Sequence, residues 1–261
     1  MKNIFSFQRF FKLFSKHTRE HYHTYLIAVA VLIGILTLML GTTAYFGNGR
    51  LSINVQGAYF SVFLLLSGTI FTSMVFADLG DKKRSIPALT LPVSHFERFL
   101  VGWIYSYLIF QVIFVMCFFM IDLIVIKIGD INPLVKNDLL NFGEDRNKFL
   151  IAFLIFGLMH GATLLGAIFF EKLHFIKTAF AVFITLICFQ VVNIPIVNYF
   201  FLASARMQPL FAGVVLRGEI KGQSIYIKPM EQSYIIVIYM VIAVTIVLWA
   251  AAFFKLKEKQ V

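Results

Sequence analysis

The sequence predicts an all-α membrane protein built on six transmembrane helices. Three observations carry this. The 261 residues are 60% hydrophobic and 14% charged, with a mean hydropathy of +0.86. A soluble domain carries about 25% charged and about 45–50% apolar residues. Six apolar runs are long enough to cross a hydrocarbon core about 30 Å thick, which takes roughly 20 helical residues. The basic residues gather at the ends of those runs, where they anchor to anionic lipids and set topology. They form no long basic face with exposed aromatics, so the net charge of +10 points away from nucleic acid.

Residues 4–16 predict an amphipathic interfacial helix. At 100° per residue Ile4, Phe7, Phe10, Phe11 and Phe14 share one arc. Lys2, Arg9, Lys12 and Lys16 share the opposite one. Such a helix lies flat on a membrane surface; a disordered basic leader is the other reading. The spans are predicted at 25–46, 59–76, 100–124, 150–170, 175–199 and 234–254. The chain therefore reads as one transmembrane domain over 1–261. Its parts are the amphipathic segment 1–24, a six-helix bundle 25–254 and a cytoplasmic tail 255–261.

Orientation follows from Lys and Arg. With both termini inside, segments 1–24, 78–98, 171–177 and 255–261 hold fourteen basic residues against six acidic ones; the longer outer regions hold nine against seven. The positive-inside rule favours N-in, C-in. Outside, residues 47–58 read as a short turn, and 129–149 have the apolar character of a short interfacial helix. Residues 200–233 read either as a small hairpin around a Gly-rich turn or as an extended loop.

The polar island between spans two and three is the most informative stretch. It holds Lys82-Lys83-Arg84, a segment fenced by Pro87 and Pro92, and Ser94-x-x-Glu97. The last is the capping-box pattern that starts a helix by satisfying orphan N–H groups. Helix–helix connections usually take two to eight residues; the excess fits a structured cytoplasmic knob that touches a soluble partner.

Within the spans, Gly157, Gly161 and Gly166 put small residues at four- and five-residue spacing on the fourth, which favours close helix packing in this chain or with a second copy. His160 lies beside them near mid-membrane. It either hydrogen-bonds a neighbouring helix or lines a translocation path. Gln190 and Asn193 near Pro195 on the fifth span are open to the same two readings, and Pro195 is expected to bend or end that helix. Asp122 and Lys127 read as markers of the outer interface. His17, His21 and His23 read as interfacial histidines rather than metal ligands. Cys117 and Cys188 sit inside apolar runs with no CxxC spacing, so they form no disulfide framework. The chain lacks GxxxxGK[ST], HExxH and GxSxG. It is not expected to be an enzyme or to hold a cofactor of its own.

The order of these features resembles the permease subunit of a type-2 ATP-binding cassette exporter, in its small bacterial form. Ala88-Leu89-Thr90-Leu91-Pro92-Val93-Ser94-His95-Phe96-Glu97-Arg98-Phe99-Leu100 is similar to the LLxLPxSxxEKxL stretch that leads into span three of that family. The stretch from Gly166 to Thr178 resembles the short inner turn between its spans four and five. The resemblance implies a bacterial cytoplasmic membrane and a pairing with a second permease copy or sister subunit. It also implies a separate ATPase subunit that holds the ATP and magnesium. Asp81, Lys82, Lys83, Arg84, Ile86, Leu89, Leu91 and Glu97 would form the ATPase-coupling segment, with the amphipathic helix as the connecting helix. The competing reading is a non-transport membrane scaffold or a sensory or assembly component, which needs no ATPase.

Overall fold

The computed structural model describes residues 5–80, 94–130, 137–141, 143, 146–170, 173–201, 214–217, 224–227 and 231–258. Six helical spans form a multi-pass membrane bundle, each long and apolar enough to cross a bilayer. Span one is α1, Phe7–Phe46; span two is α2, Ile53–Gly80. Span three begins as α3, His95–Trp103, widens into a π-helical turn, Ile104–Ile109, and continues as α4, Phe110–Gly129. Spans four and five are α5, Arg146–Phe169, and α6, His174–Phe201; span six is α7, Glu231–Glu258. Between spans five and six, β1 (Val214–Arg217) pairs antiparallel with β2 (Ser224–Ile227), with Val214 opposite Ile227.

The first span corrects the sequence reading. The amphipathic segment is not a separate helix lying flat; it is the first part of α1. No Gly or Pro interrupts the chain between Phe7 and Gly34, so nothing breaks the i→i−4 hydrogen bonds. Forty helical residues extend about 60 Å at 1.5 Å per residue, roughly twice the hydrocarbon thickness. Pro195 likewise does not end its helix, which runs on to Phe201. Of the 129–149 stretch, 137–141 and 143 contain no helix, 129 and 146–149 belong to the flanking spans, and 131–136 lie outside the described residues.

Span four is the centre of the bundle: half of its apolar window is buried, against none of span five's. It packs on α2, α7 and α6, while α1 packs on α4. The main core lies among α1, α2, α4 and α5, with Leu36, Leu40, Phe60, Leu64, Phe114, Phe118 and Phe156 sealed from the surface. Phe60 meets Phe118 at 5.2 Å and Phe149 at 4.9 Å, both edge to face. Lipid supplies little hydrophobic drive between helices, so van der Waals packing and ring geometry of this kind hold them. A second cluster, Phe76, Phe99, Leu164, Ile168 and Leu256, closes the end of the bundle where α1 begins.

The three small residues of span four pack within this chain. A Cβ on Gly157 would meet Tyr107 of the π turn and Thr245 of α7; one on Gly161 would meet Leu248 and Trp249 of α7. At Gly166 it would collide with Thr178 of α6. Glycine is also required at the opposite end. Gly49 has a φ of +87°, and its backbone abuts that of Gly129, closing the α1–α2 turn onto the end of α4.

Candidate functional site

Glu97 occupies the third position of α3 and is fully buried. The capping box forms as its sequence implies. The Ser94 hydroxyl accepts the Glu97 N–H at 3.1 Å, and Glu97 Oε2 accepts the Ser94 N–H at 2.9 Å. The other carboxylate oxygen leaves the box. Oε1 accepts the N–H of Ser6 at 2.7 Å and is paired with Arg9 Nη2 at 3.2 Å. Ser6 is the N-cap of α1, and its own side chain makes no capping bond. One carboxylate thus serves the N-caps of two helices, and its bond to Ser6 spans 91 positions. Its charge suits both helix N-termini. Arg9, which periodicity puts on the polar arc, therefore faces the protein here.

Above this joint the two helices stay in register. Phe14 stacks on Tyr105 at 4.8 Å, and the Thr18 hydroxyl is bonded to the Tyr105 hydroxyl. His17 stacks on His21 at 4.5 Å and its Nε2 is bonded to the Tyr25 hydroxyl at 2.6 Å. The His17 ring also meets Tyr105 at 4.8 Å, so it serves packing between α1 and span three.

The next residue in the π turn begins the second polar node. His160 is fully buried, with Nε2 at 2.9 Å from Ser106 Oγ. The indole N–H of Trp249 donates to His160 Nδ1 at 3.0 Å. An indole nitrogen only donates, so Nδ1 is an acceptor and the ring is the neutral Nε2–H tautomer. Nε2–H then donates to Ser106, whose hydroxyl donates to the Gly102 carbonyl at 2.8 Å. The chain of bonds crosses spans six, four and three and ends with every member satisfied. Tyr107 closes it, with its ring 5.0 Å from His160 and 5.1 Å from Trp249. The wide turn sends Tyr105 to span one, Ser106 to span four and Tyr107 to spans four and six. π turns inside α-helices are frequent at functional positions.

The residues read from sequence fall into three groups. Glu97 lies at the inter-helix joint. Asp81, Lys82, Lys83, Arg84, Ile86, Leu89 and Leu91 lie outside the described residues. His160 is sealed in the bundle, with both ring nitrogens taken by Ser106 and Trp249. Gln190 and Asn193 are half-buried on α6. Asp122 is fully buried against the rest of the bundle, while Lys127 is exposed. Five residues on a helix turn the chain about 140° beyond a full turn, so the two cannot share a face. Ser6, Arg9, Ser106 and Trp249 were not legible as site residues, because nothing local marks a partner on another span. Comparison of the chain with protein-family models, curated proteins and solved structures finds no match.

Proposed function

We infer that the chain is the membrane-spanning permease subunit of an ATP-binding cassette exporter in a bacterial cytoplasmic membrane. A separate ATPase subunit drives it, and a second permease copy or a sister subunit completes the path. The observation that carries this reading is the double use of Glu97. A partner that grips the segment 81–93 and moves it acts first on Ser94 and Glu97, the residues that follow. Glu97 holds the start of α1, so displacement reaches span one directly, without first repacking the phenylalanine core. The π turn on the same span supports the reading, since π turns inside α-helices frequently occur at functional sites. Lys82, Lys83 and Arg84 would steer an acidic ATPase surface, and Ile86, Leu89 and Leu91 would anchor it, the usual division between rim and centre.

The test is copurification of an ATPase from native membranes at matched levels of wild type and Leu89→Asp. An unpaired charge buried at the contact costs several kcal/mol, so the variant is expected to lose the ATPase while still inserting. Equal recovery of the ATPase with both chains would falsify the coupling role of this segment.

A further inference from the structure

The end of the bundle that holds Glu97 carries a second ionic feature that the joint does not use. Arg98 is 8% exposed, and its guanidinium makes no side-chain hydrogen bond among the described residues; Nη2 is sealed from the surface without an acceptor. One turn earlier, His95 Nδ1 is also buried and unpartnered. Positions i and i+3 share a helix face. α3 is fastened to α7 at this point by Phe253, whose ring meets Phe99 at 5.5 Å and Phe96 at 6.0 Å. One turn beyond Phe253, on the same face of α7, stands Lys257.

Three nitrogen-bearing side chains thus stand at the facing ends of two packed spans, and the carboxylates of this end whose side chains are described are engaged elsewhere. Glu97 serves Ser6, Ser94 and Arg9; Glu258 pairs with Lys255 at 2.9 Å, and Glu20 with Lys16 at 3.7 Å. A buried guanidinium is costly without an acceptor, and its planar fork matches the oxygens of a phosphate or carboxylate. The surroundings select among anions. Phe96 and Phe254 present exposed rings beside the cluster, an apolar surface that a free ion does not use and an acyl chain does. The cluster also stands at the ends of two membrane-spanning helices, the level of lipid headgroups.

We propose that His95, Arg98 and Lys257 form a binding site for the phosphate of an anionic phospholipid, held between the start of span three and the end of span six. The site depends on no ATPase, so the exporter reading and this one stand or fall separately.

The test uses the full chain, purified without any ATPase in a non-ionic detergent. Thermal unfolding is followed during addition of dioleoylphosphatidylglycerol, of dioleoylphosphatidylcholine, or of inorganic phosphate. The anionic lipid is expected to raise the midpoint of wild type at lower concentration than the zwitterionic lipid, and phosphate is expected to do little. Arg98→Gln is expected to weaken the apparent affinity for the anionic lipid by about tenfold or more, the worth of a charged hydrogen bond. Lys257→Gln is expected to weaken it by about fivefold, the worth of one basic residue at a lipid surface. Lys257 is exposed, so this second variant reports even if Arg98→Gln does not fold. An identical lipid response in wild type and Lys257→Gln overturns the proposal. So does an equal response to phosphate and to the lipid, which marks a free-oxyanion site. If Arg98→Gln keeps the lipid response but loses a copurifying ATPase, the acceptor is a carboxylate of that partner and the lipid site is overturned.

Discussion

At the end of the bundle where α1 begins a carboxylate joins two helices; at the opposite end two amides fasten the α1–α2 turn and the start of α2 to the 137–141 segment. Glu97 only accepts, and its donors are two backbone N–H groups and Arg9, whose side chain is 41% exposed. Gln56 both donates and accepts. Its Nε2 reaches the carbonyls of Leu51 at 3.1 Å and Asp138 at 3.0 Å, and its Oε1 takes the Leu140 N–H at 2.9 Å. Asn137 completes that end, accepting the Leu51 N–H at 2.8 Å and donating to the Gly49 carbonyl at 2.8 Å. The two amides are themselves neutral, and apart from the bond of Asn137 Nδ2 to Asp130 Oδ1 at 3.0 Å their donors and acceptors are matched to backbone groups. The carboxylate joint concentrates one charge on the first turns of two helices and borders a segment that the exporter reading gives to a partner. The amide end suits a fixed fastening. The carboxylate end suits a joint that transmits displacement.

Four substitutions sharpen or break this comparison. Glu97→Ala should have the largest effect, because it orphans the Ser6 and Ser94 N–H groups together. Unsatisfied buried donors cost about 1–3 kcal/mol each, so a loss of about 3 kcal/mol is expected in detergent unfolding. Limited trypsin digestion should then cut faster at Arg9, Lys12 and Lys16. Cleavage as slow as in wild type would mean that Glu97 does not hold α1.

Gln56→Leu should come next, at about 2 kcal/mol, since it strands the Leu140 N–H and two carbonyls. The same digestion should leave the N-terminal stretch as protected as before. A shared response of both ends to this one substitution would erase the contrast between them.

Trp249→Phe removes the donor to His160 Nδ1 at the centre. Hydrogen bonds between membrane helices average about 0.6 kcal/mol and reach about 1.7 kcal/mol, so a loss of about 1 kcal/mol is expected by the same unfolding measurement. A loss as large as that of Glu97→Ala would make the centre, rather than either end, the main polar fastening.

Arg9→Gln should have the smallest effect, under about 1 kcal/mol, because a partly exposed ion pair is screened by water and salt. The difference from wild type should shrink further in high salt. A large, salt-independent loss would show that Arg9, and not the backbone of Ser6, is the important donor to Glu97.

Much of this protein is legible before any coordinates. Apolar runs of the right length give six spans, because a helix is the economical way to satisfy backbone groups in lipid. Ser94 and Glu97 give the start of span three, because a capping box is local: its two residues lie three apart and bond to each other's backbone. Gly157, Gly161 and Gly166 give a packing surface, because the absence of a side chain is a property of the residue itself.

Tertiary structure decided what those residues meet. The second use of Glu97 depends on Ser6 and Arg9, about ninety positions away. The glycines meet α7, the π turn and α6, and no spacing rule distinguishes those surfaces. Asp122 lies buried because the face of span three that carries it turns toward the core, and a span that is apolar all round gives no hydropathy signal of which face that is. The π turn leaves no composition signature. Backbone hydrogen bonding and local caps act over a few residues and can be read along the chain. The partner of a buried polar side chain is fixed only by how the spans pack.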